Sequence, residues 1–187
     1  NVDGRGELIG AFKGDECLLI ATQSGSIKTV IPDLNMHFPE DMIVLEKWTP
    51  TKPISVVYFD GIKERYFGKR FLIEAPEKEE FFLKTESQAV LELISTDFRP
   101  VFEIEFTKPR GKDSKPSQQI VFEDFISIKG IKAIGNQITS EKVKQFTILP
   151  SLTYEEKIEE PTHNIEVEDP QTIEKESDEN SQITMEL

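Results

Sequence analysis

The feature that most constrains this chain is a series of short apolar runs that come in pairs around small polar turns. Leu18 to Thr22 and Ser26 to Ile31 flank Ser24-Gly25, and Ser55 to Phe59 and Ile62 to Phe67 flank Asp60-Gly61. Asp-Gly between β-rich runs predicts a hairpin, because a tight primed turn needs positive φ at its central positions. Phe81 to Thr85 and Ala89 to Ile94 predict a third hairpin around Glu86-Ser87-Gln88. Val101 to Phe106 and Gln119 to Phe122 predict a fourth across a Gly/Lys/Pro/Ser loop. Pro39 to Glu46 is the best helical candidate and also reads as strand.

The hairpins look related. Leu18 through Ile27 aligns without gaps on Phe81 through Val90, an offset of 63, with Thr22 on Thr85 and Ser24 on Ser87. Ile120-Val121-Phe122 lies at the same offset from Val57-Tyr58-Phe59. Repetition of this kind predicts blades that cannot bury their faces alone and build a core by stacking. A β-sandwich with chance similarity between two strands is the alternative at this point.

The net charge of −13 is unevenly spread. Residues 151–187 hold twelve acids and two bases, which leaves 23 acids against 20 bases in residues 1–150. The acidic part contains no Phe or Trp, and its apolar residues are isolated. Such composition cannot bury enough surface to offset the entropy of ordering. The expected division is a folded domain over 1–150 and an acidic disordered tail over 151–187.

Chemistry is thinly represented. Cys17 stands alone beside Leu18, Leu19 and Ile20, which predicts a buried small hydrophobe. His37 and His163 are far apart and no Cys/His spacing suits a metal, so no metal site is expected. No phosphate-binding Gly-x-x-x-x-Gly-Lys-Ser/Thr run occurs. No stretch approaches the roughly 20 apolar residues of a membrane span, and no charged-then-apolar leader opens the sequence. The first residue is Asn1, which reads as a piece of a longer protein, with processing as the alternative.

Gly10 through Gly25, with a strand ending in Thr22 before a Gly turn and Lys28 on the next strand, resembles the blade motif of type IIA topoisomerase A subunits. Val56-Val57-Tyr58-Phe59-Asp60-Gly61 through Tyr66-Phe67-Gly68-Lys69-Arg70-Phe71 resembles the C-terminal region of topoisomerase IV A subunits. So does Phe125 through Asn136, with its Lys129-Gly130-Ile131-Lys132-Ala133-Ile134-Gly135-Asn136 run. The resemblance covers roughly residues 6–148. It implies an all-β fold, a β-pinwheel of four-stranded, propeller-like blades that exchange strands. It also implies a bacterial, cytoplasmic, nucleoid-associated protein that binds and bends duplex DNA and presents it to the enzyme's gate. Its implied partners are double-stranded DNA, the remainder of the A subunit and the ATPase B subunit, with no membrane. ATP and Mg2+ act elsewhere in such an enzyme, so no cofactor is expected here. The Gln-Arg-Arg-Gly-Gly-Lys-Gly type wrapping box of gyrase A is missing, which favours topoisomerase IV. At about 45 residues per blade the body holds three or four blades, an open arc or reduced pinwheel.

The family breaks DNA with a tyrosine that follows an arginine in an Ala-rich helical setting. Arg65-Tyr66 sits instead between Lys63-Glu64 and Phe67-Gly68 in a predicted hairpin. Tyr58, Tyr66 and Tyr154 have no oriented base or charge stabilisers nearby in sequence. No catalytic residue is expected. A DNA binder gains affinity by displacing counterions with Lys and Arg. Lys28, the set Lys63, Arg65, Lys69 and Arg70, the set Lys108, Arg110, Lys112 and Lys115, and the pair Lys129 and Lys132 are the candidate DNA contacts. Lys142 and Lys144 lie beyond them. Contacts of this sort position DNA without reading bases. The acidic tail is either an intramolecular competitor for the basic patches, held at high effective concentration, or a solubilising extension. The rival to DNA binding is a propeller-like scaffold that grips another protein.

Overall fold

A computed structural model describes residues 9–74, 78–108, 110–111 and 115–154. The strands in chain order are β1 (Leu18–Thr22), β2 (Ser26–Val30), β3 (Met42–Lys47), β4 (Ile54–Asp60), β5 (Arg65–Phe71), β6 (Glu80–Phe81), β7 (Val90–Ser95), β8 (Val101–Phe106), β9 (Gln118–Val121), β10 (Asn136–Thr139) and β11 (Val143–Leu149). A single turn of 3-10 helix spans Thr85–Ser87, and a four-residue α-helix, α1, spans Phe122–Phe125. The fold is all-β, as expected, and every strand pairing is antiparallel.

The strands form three sheets in the orders β3-β1-β2-β6, β10-β5-β4-β7 and β11-β8-β9. One rule generates all three. Each blade has a central hairpin, β1-β2, β4-β5 or β8-β9. The next strand in sequence leaves for the preceding blade: β6 follows β5 but joins β2, and β10 follows β9 but joins β5. The strand after that returns to flank its own hairpin: β3 on β1, β7 on β4, β11 on β8. Blades 1 and 2 are thus stitched together by β6, and blades 2 and 3 by β10. Three blades fall within the expected three or four among the described residues.

Alternation along the central hairpins places apolar side chains on both faces, and two clusters bury them. Leu19, Ala21 and Ile27 of blade 1 pack with Val56, Phe71 and Leu91 of blade 2. Val57 of blade 2 packs with Phe102, Phe122 and Ile126 of blade 3. Neighbouring hairpins therefore share a core, which a lone hairpin cannot supply. Cys17 is buried as expected.

Three readings of the sequence need correction. The β4–β5 turn is not a two-residue Asp-Gly turn. Asp60 faces Arg65 in the register, and the left-handed residue is Glu64, at φ 50°. The Asp60 carboxylate shapes the turn by accepting from the amides of Ile62 and Lys63, at 3.1 and 2.9 Å. The predicted hairpin over Phe81 to Ile94 is a crossover: β6 belongs to blade 1 and β7 to blade 2. The offset of 63 therefore aligned a hairpin with a connection, because both alternate apolar and polar residues around a small polar turn. Pro39 to Glu46 holds β3 and no helix. At the other end, the first compact unit runs on to Tyr154. Tyr154 stacks on Phe98 with ring centroids 4.2 Å apart, and Ser151 donates to Asp97 at 2.6 Å. The expected disorder beyond residue 155 lies outside the described residues.

Candidate nucleic-acid interface

The three hairpin tips lie beside the turns that lead each exchanged strand home, and one backbone hydrogen bond recurs in all three. Gln23 donates to the Asp41 carbonyl (2.8 Å), Gly61 to that of Ser87 (3.0 Å), and Thr107 to that of Lys142 (2.9 Å). This clamp pairs residues far apart in sequence and so left no local signal. It also decides which charges meet at each tip.

At the blade 1 tip, Gln23-Ser24-Gly25 meets the acids Glu40 and Asp41. The Asp41 carboxylate accepts from the Ser24 amide at 3.1 Å, and hydrogen bonding from the Ser24 side chain first, then from its amide, lowers the Asp41 pKa. At the blade 2 tip, Lys63 is exposed, with its ammonium 5.1 Å above the Phe67 ring. Lys63 and Lys84 line a cavity of about 260 Å³ together with Asp60 and Glu86. At the blade 3 tip, Lys108, Arg110, Lys115 and Lys142 are all exposed. Lys115 pairs with Glu141 at 2.5 Å and lies 4.5 Å over the Phe106 ring. Lys144 pairs with Glu105 at 2.8 Å. A cleft of about 480 Å³ joins the tips of blades 2 and 3, lined by Glu64, Arg65, Thr107, Glu141 and Lys142 among others. Cations thus accumulate from blade 1 to blade 3, and Arg65 and Lys142 share one cleft.

Two of the candidate contacts belong to the interior. Lys69 is 3% exposed and Arg70 5%. The Lys69 ammonium donates to the carbonyls of Phe82, Ile131 (2.9 Å) and Ala133 (3.3 Å). Burial, with the nearby charge of Lys84, pushes its pKa down to about 8. Arg70 donates from Nη2 to the Phe98 carbonyl at 2.6 Å, and burial lowers its pKa too. Neither side chain can reach a phosphate without breaking these bonds, so both leave the proposed surface. The reason is geometric: β5 is a central strand covered on both sides, and alternation in sequence does not reveal that. Lys28 is half-buried on β2, opposite Ile20. Lys112 lies outside the described residues. Lys129 and Lys132 are exposed, away from the described tips in sequence, and Lys129 donates to Asn136 at 3.0 Å. Lys84 and Lys142 are cations at the tips that the initial set did not include; only the clamp brings them there.

The Lys129 to Asn136 run acts mainly as the anchor of β10. Its carbonyls at Ile131 and Ala133 receive Lys69, and that of Ile134 receives the Tyr58 hydroxyl at 2.7 Å. Gly135 has φ 91°, and a Cβ there would lie 2.1 Å from the Gly68 carbonyl oxygen. Only glycine permits that approach. Asn136 also donates to the Phe125 carbonyl at 3.2 Å. Tyr66 is packed between Phe59 and Phe146, each centroid 5.0 Å away. Burial raises its pKa, the direction opposite to nucleophile activation. Among the described residues no group of three or more His, Cys, Asp or Glu is placed to hold a metal. No helix among them is long and apolar enough to cross a membrane.

Strand-exchanged antiparallel blades define an all-β repeat domain of the pinwheel kind. Residues 1–150 match the family model described as topoisomerase C-terminal domain, Bacteroidota. The chain belongs to that family and is a topoisomerase domain. Comparison with curated proteins found no match, and comparison with solved structures found none.

Proposed function

We propose that this chain is the duplex-DNA-binding and bending domain of a topoisomerase IV-like A subunit, presenting a DNA segment to the strand-passage gate. The observation that carries the reading is the meeting of Arg65 and Lys142 in one cleft, flanked by exposed Lys108, Arg110 and Lys115. Lys63 and Lys84 extend the cationic surface along the blade 2 tip. Such groups contact phosphates and carry no base code, so the binding is indifferent to sequence. The domain has no catalytic role in this reading, and its tyrosines are structural. It works in the bacterial cytoplasm with the rest of the A subunit and an ATP-using B subunit, which supply the chemistry and the cofactors.

The test is fluorescence anisotropy with a duplex of about 30 base pairs. Engaging about four phosphates gives a slope near −3.6 in log affinity against log salt. Arg65→Glu with Lys142→Glu lowers affinity by at least about tenfold, and Lys28→Glu leaves it within about twofold. Absence of binding at about 50 mM salt defeats the proposal and favours a scaffold that grips another protein. Equal losses from Lys28→Glu and the cleft pair would dissolve the proposed surface into diffuse electrostatics.

A further inference from the structure

The cavity at the blade 2 tip holds a charge that nothing inside it balances. Lys69 on β5 is buried, yet it lines this space of about 260 Å³ together with Tyr58, Asp60, Lys63, Lys84 and Glu86. Neutral groups alone solvate its ammonium. They are the carbonyls of Phe82, Ile131 and Ala133 and the rings of Tyr58 and Phe71, whose centroids lie 5.7 and 5.9 Å away. Among the described residues no carboxylate pairs with it. A buried charge without a counter-charge is costly. The two acids of the cavity do not supply one. Asp60 is turned to its own hairpin, where one carboxylate oxygen accepts from the amides of both Ile62 and Lys63. Glu86 is exposed on the 3-10 turn and forms no ion pair among the described residues. Burial, and then the like charge of Lys84, disfavour the Lys69 ammonium. Lys63 and Lys84 are exposed at the mouth, and neither pairs with a carboxylate of the described residues.

The geometry points to this cavity as a site for a small phosphate anion, free or as a terminal phosphate group, held by Lys63 and Lys84 at the mouth and by the field of Lys69 within. All three N–H bonds of Lys69 are spent on carbonyls, so it contributes charge and no further hydrogen bond. The two exposed lysines donate. An anion between them and Lys69 supplies the missing counter-charge and shields Lys69 from Lys84. The volume suits a phosphate with a few attached atoms and excludes a duplex, so the site is separate from the cleft of Arg65 and Lys142. It also gathers distant parts of the chain. Lys84 lies on the crossover from β6 to β7, Lys63 in the β4–β5 turn, and the carbonyl partners Ile131 and Ala133 lead into β10. A bound anion therefore braces both strand exchanges and stabilises the fold by mass action. The site shares Lys63 and Lys84 with the proposed duplex surface but does not rest on that reading.

The experiment titrates the isotope-labelled full chain with inorganic phosphate at constant ionic strength and follows the Lys69 side-chain nitrogen with the amides of Lys63 and Lys84. Saturable shifts with a midpoint near about 1 mM are expected. Lys63→Gln with Lys84→Gln weakens binding by at least about tenfold. Both side chains are exposed, so the fold survives, and the Lys69 signal reports that it has. Lys13→Gln with Lys144→Gln removes the same charge elsewhere and leaves the affinity within about twofold. A 5′-phosphorylated dinucleotide shifts the same signals, and its affinity against that of free phosphate names the source of the group. Three results overturn the inference: shifts that do not saturate by about 20 mM, equal weakening by the two pairs of substitutions, or an unphosphorylated dinucleotide that shifts Lys69 as strongly as phosphate does. The last would make the cavity one more stretch of a phosphodiester track. Phosphate binding in a chain that fails to bind duplex, or the reverse, separates this site from the function proposed above.

Discussion

Blades 1 and 3 are built by the same rule and put it to different use. Blade 1 is a complete four-stranded sheet whose tip is closed by short polar side chains: Thr22 bonds both Ser24 and Ser26 at 2.9 Å. Gly25 there has φ 90°, and a Cβ would come within 2.6 Å of Leu83. Blade 3 lacks a fourth strand among the described residues and carries a long basic loop at its tip. Gly111 in that loop also has positive φ, 76°, but nothing lies within 4 Å of where its Cβ would be. One tip is packed and specified; the other is open and charged. Rigidity at one end lets the other vary its surface, which is the general relation of loops to their scaffolds.

The contrast is broken most severely by Gly25→Ala. It combines positive φ with a clash against Leu83, and we expect a loss of about 3 kcal/mol or more in urea unfolding. Gly111→Ala costs only about 1 kcal/mol, the backbone strain alone. Equal costs would show that the two tips are equally open.

Blade 2 sits between them, and Lys69 ties it to both neighbours through Phe82 and the Ile131–Ala133 segment. Lys69→Met leaves buried carbonyls without donors and destabilises by roughly 2–4 kcal/mol. Wild-type stability has a specific alkaline profile. The Lys69 pKa falls from 10.5 to about 8 on folding, so between these values the unfolded chain binds more protons and stability rises with pH. Tyr58 acts the other way. Burial raises its pKa from 10.0 to about 12, so above pH 10 the folded state holds the extra proton and stability falls. A stability maximum near pH 10 follows, and Lys69→Met removes its rising limb. A flat profile from pH 8 to 10 in the wild type would refute the assignment.

The charge difference between the tips is sharpened by Lys108→Glu with Lys142→Glu on blade 3, set against Glu40→Lys on blade 1. The first pair lowers duplex affinity about tenfold, near 1.4 kcal/mol. The second changes it by less than about threefold, because the acid Asp41 stands at that tip beside the substituted position. The smallest effect belongs to Asp41→Asn. It weakens the carboxylate's bond to the Ser24 amide, whose contribution is present above pH 3.8 and lost as pH falls through the lowered pKa. Identical acid limbs for variant and wild type would show that this bond adds nothing.

Local pattern determined much of this protein. Aliphatic and β-branched residues on either side of Ser24-Gly25 specify β1 and β2 nearly to the residue, because strand preference and the glycine turn are local properties. The all-β class, the buried Cys17 and the resemblance of Lys129 to Asn136 were legible for the same reason. Pairing was not. Phe81 and Val90 look like two arms of a hairpin, yet they serve different blades, since hydrogen-bonding partners across an exchanged strand leave no trace in alternation. The same holds for charge. Lys63, Lys69 and Arg70 are equally basic in sequence, but both faces of β5 are covered, which buries Lys69 against Phe82 and the Ile131–Ala133 segment and Arg70 against Phe98, while Lys63 in the turn before β5 stays exposed. Lys142 came to face Arg65 only because the turn after β10 folds back on the blade 3 tip. Short-range sterics and periodicity decide which segments become strands; which strand lies beside which, and hence which cations converge, is settled by burial of surface between residues distant along the chain.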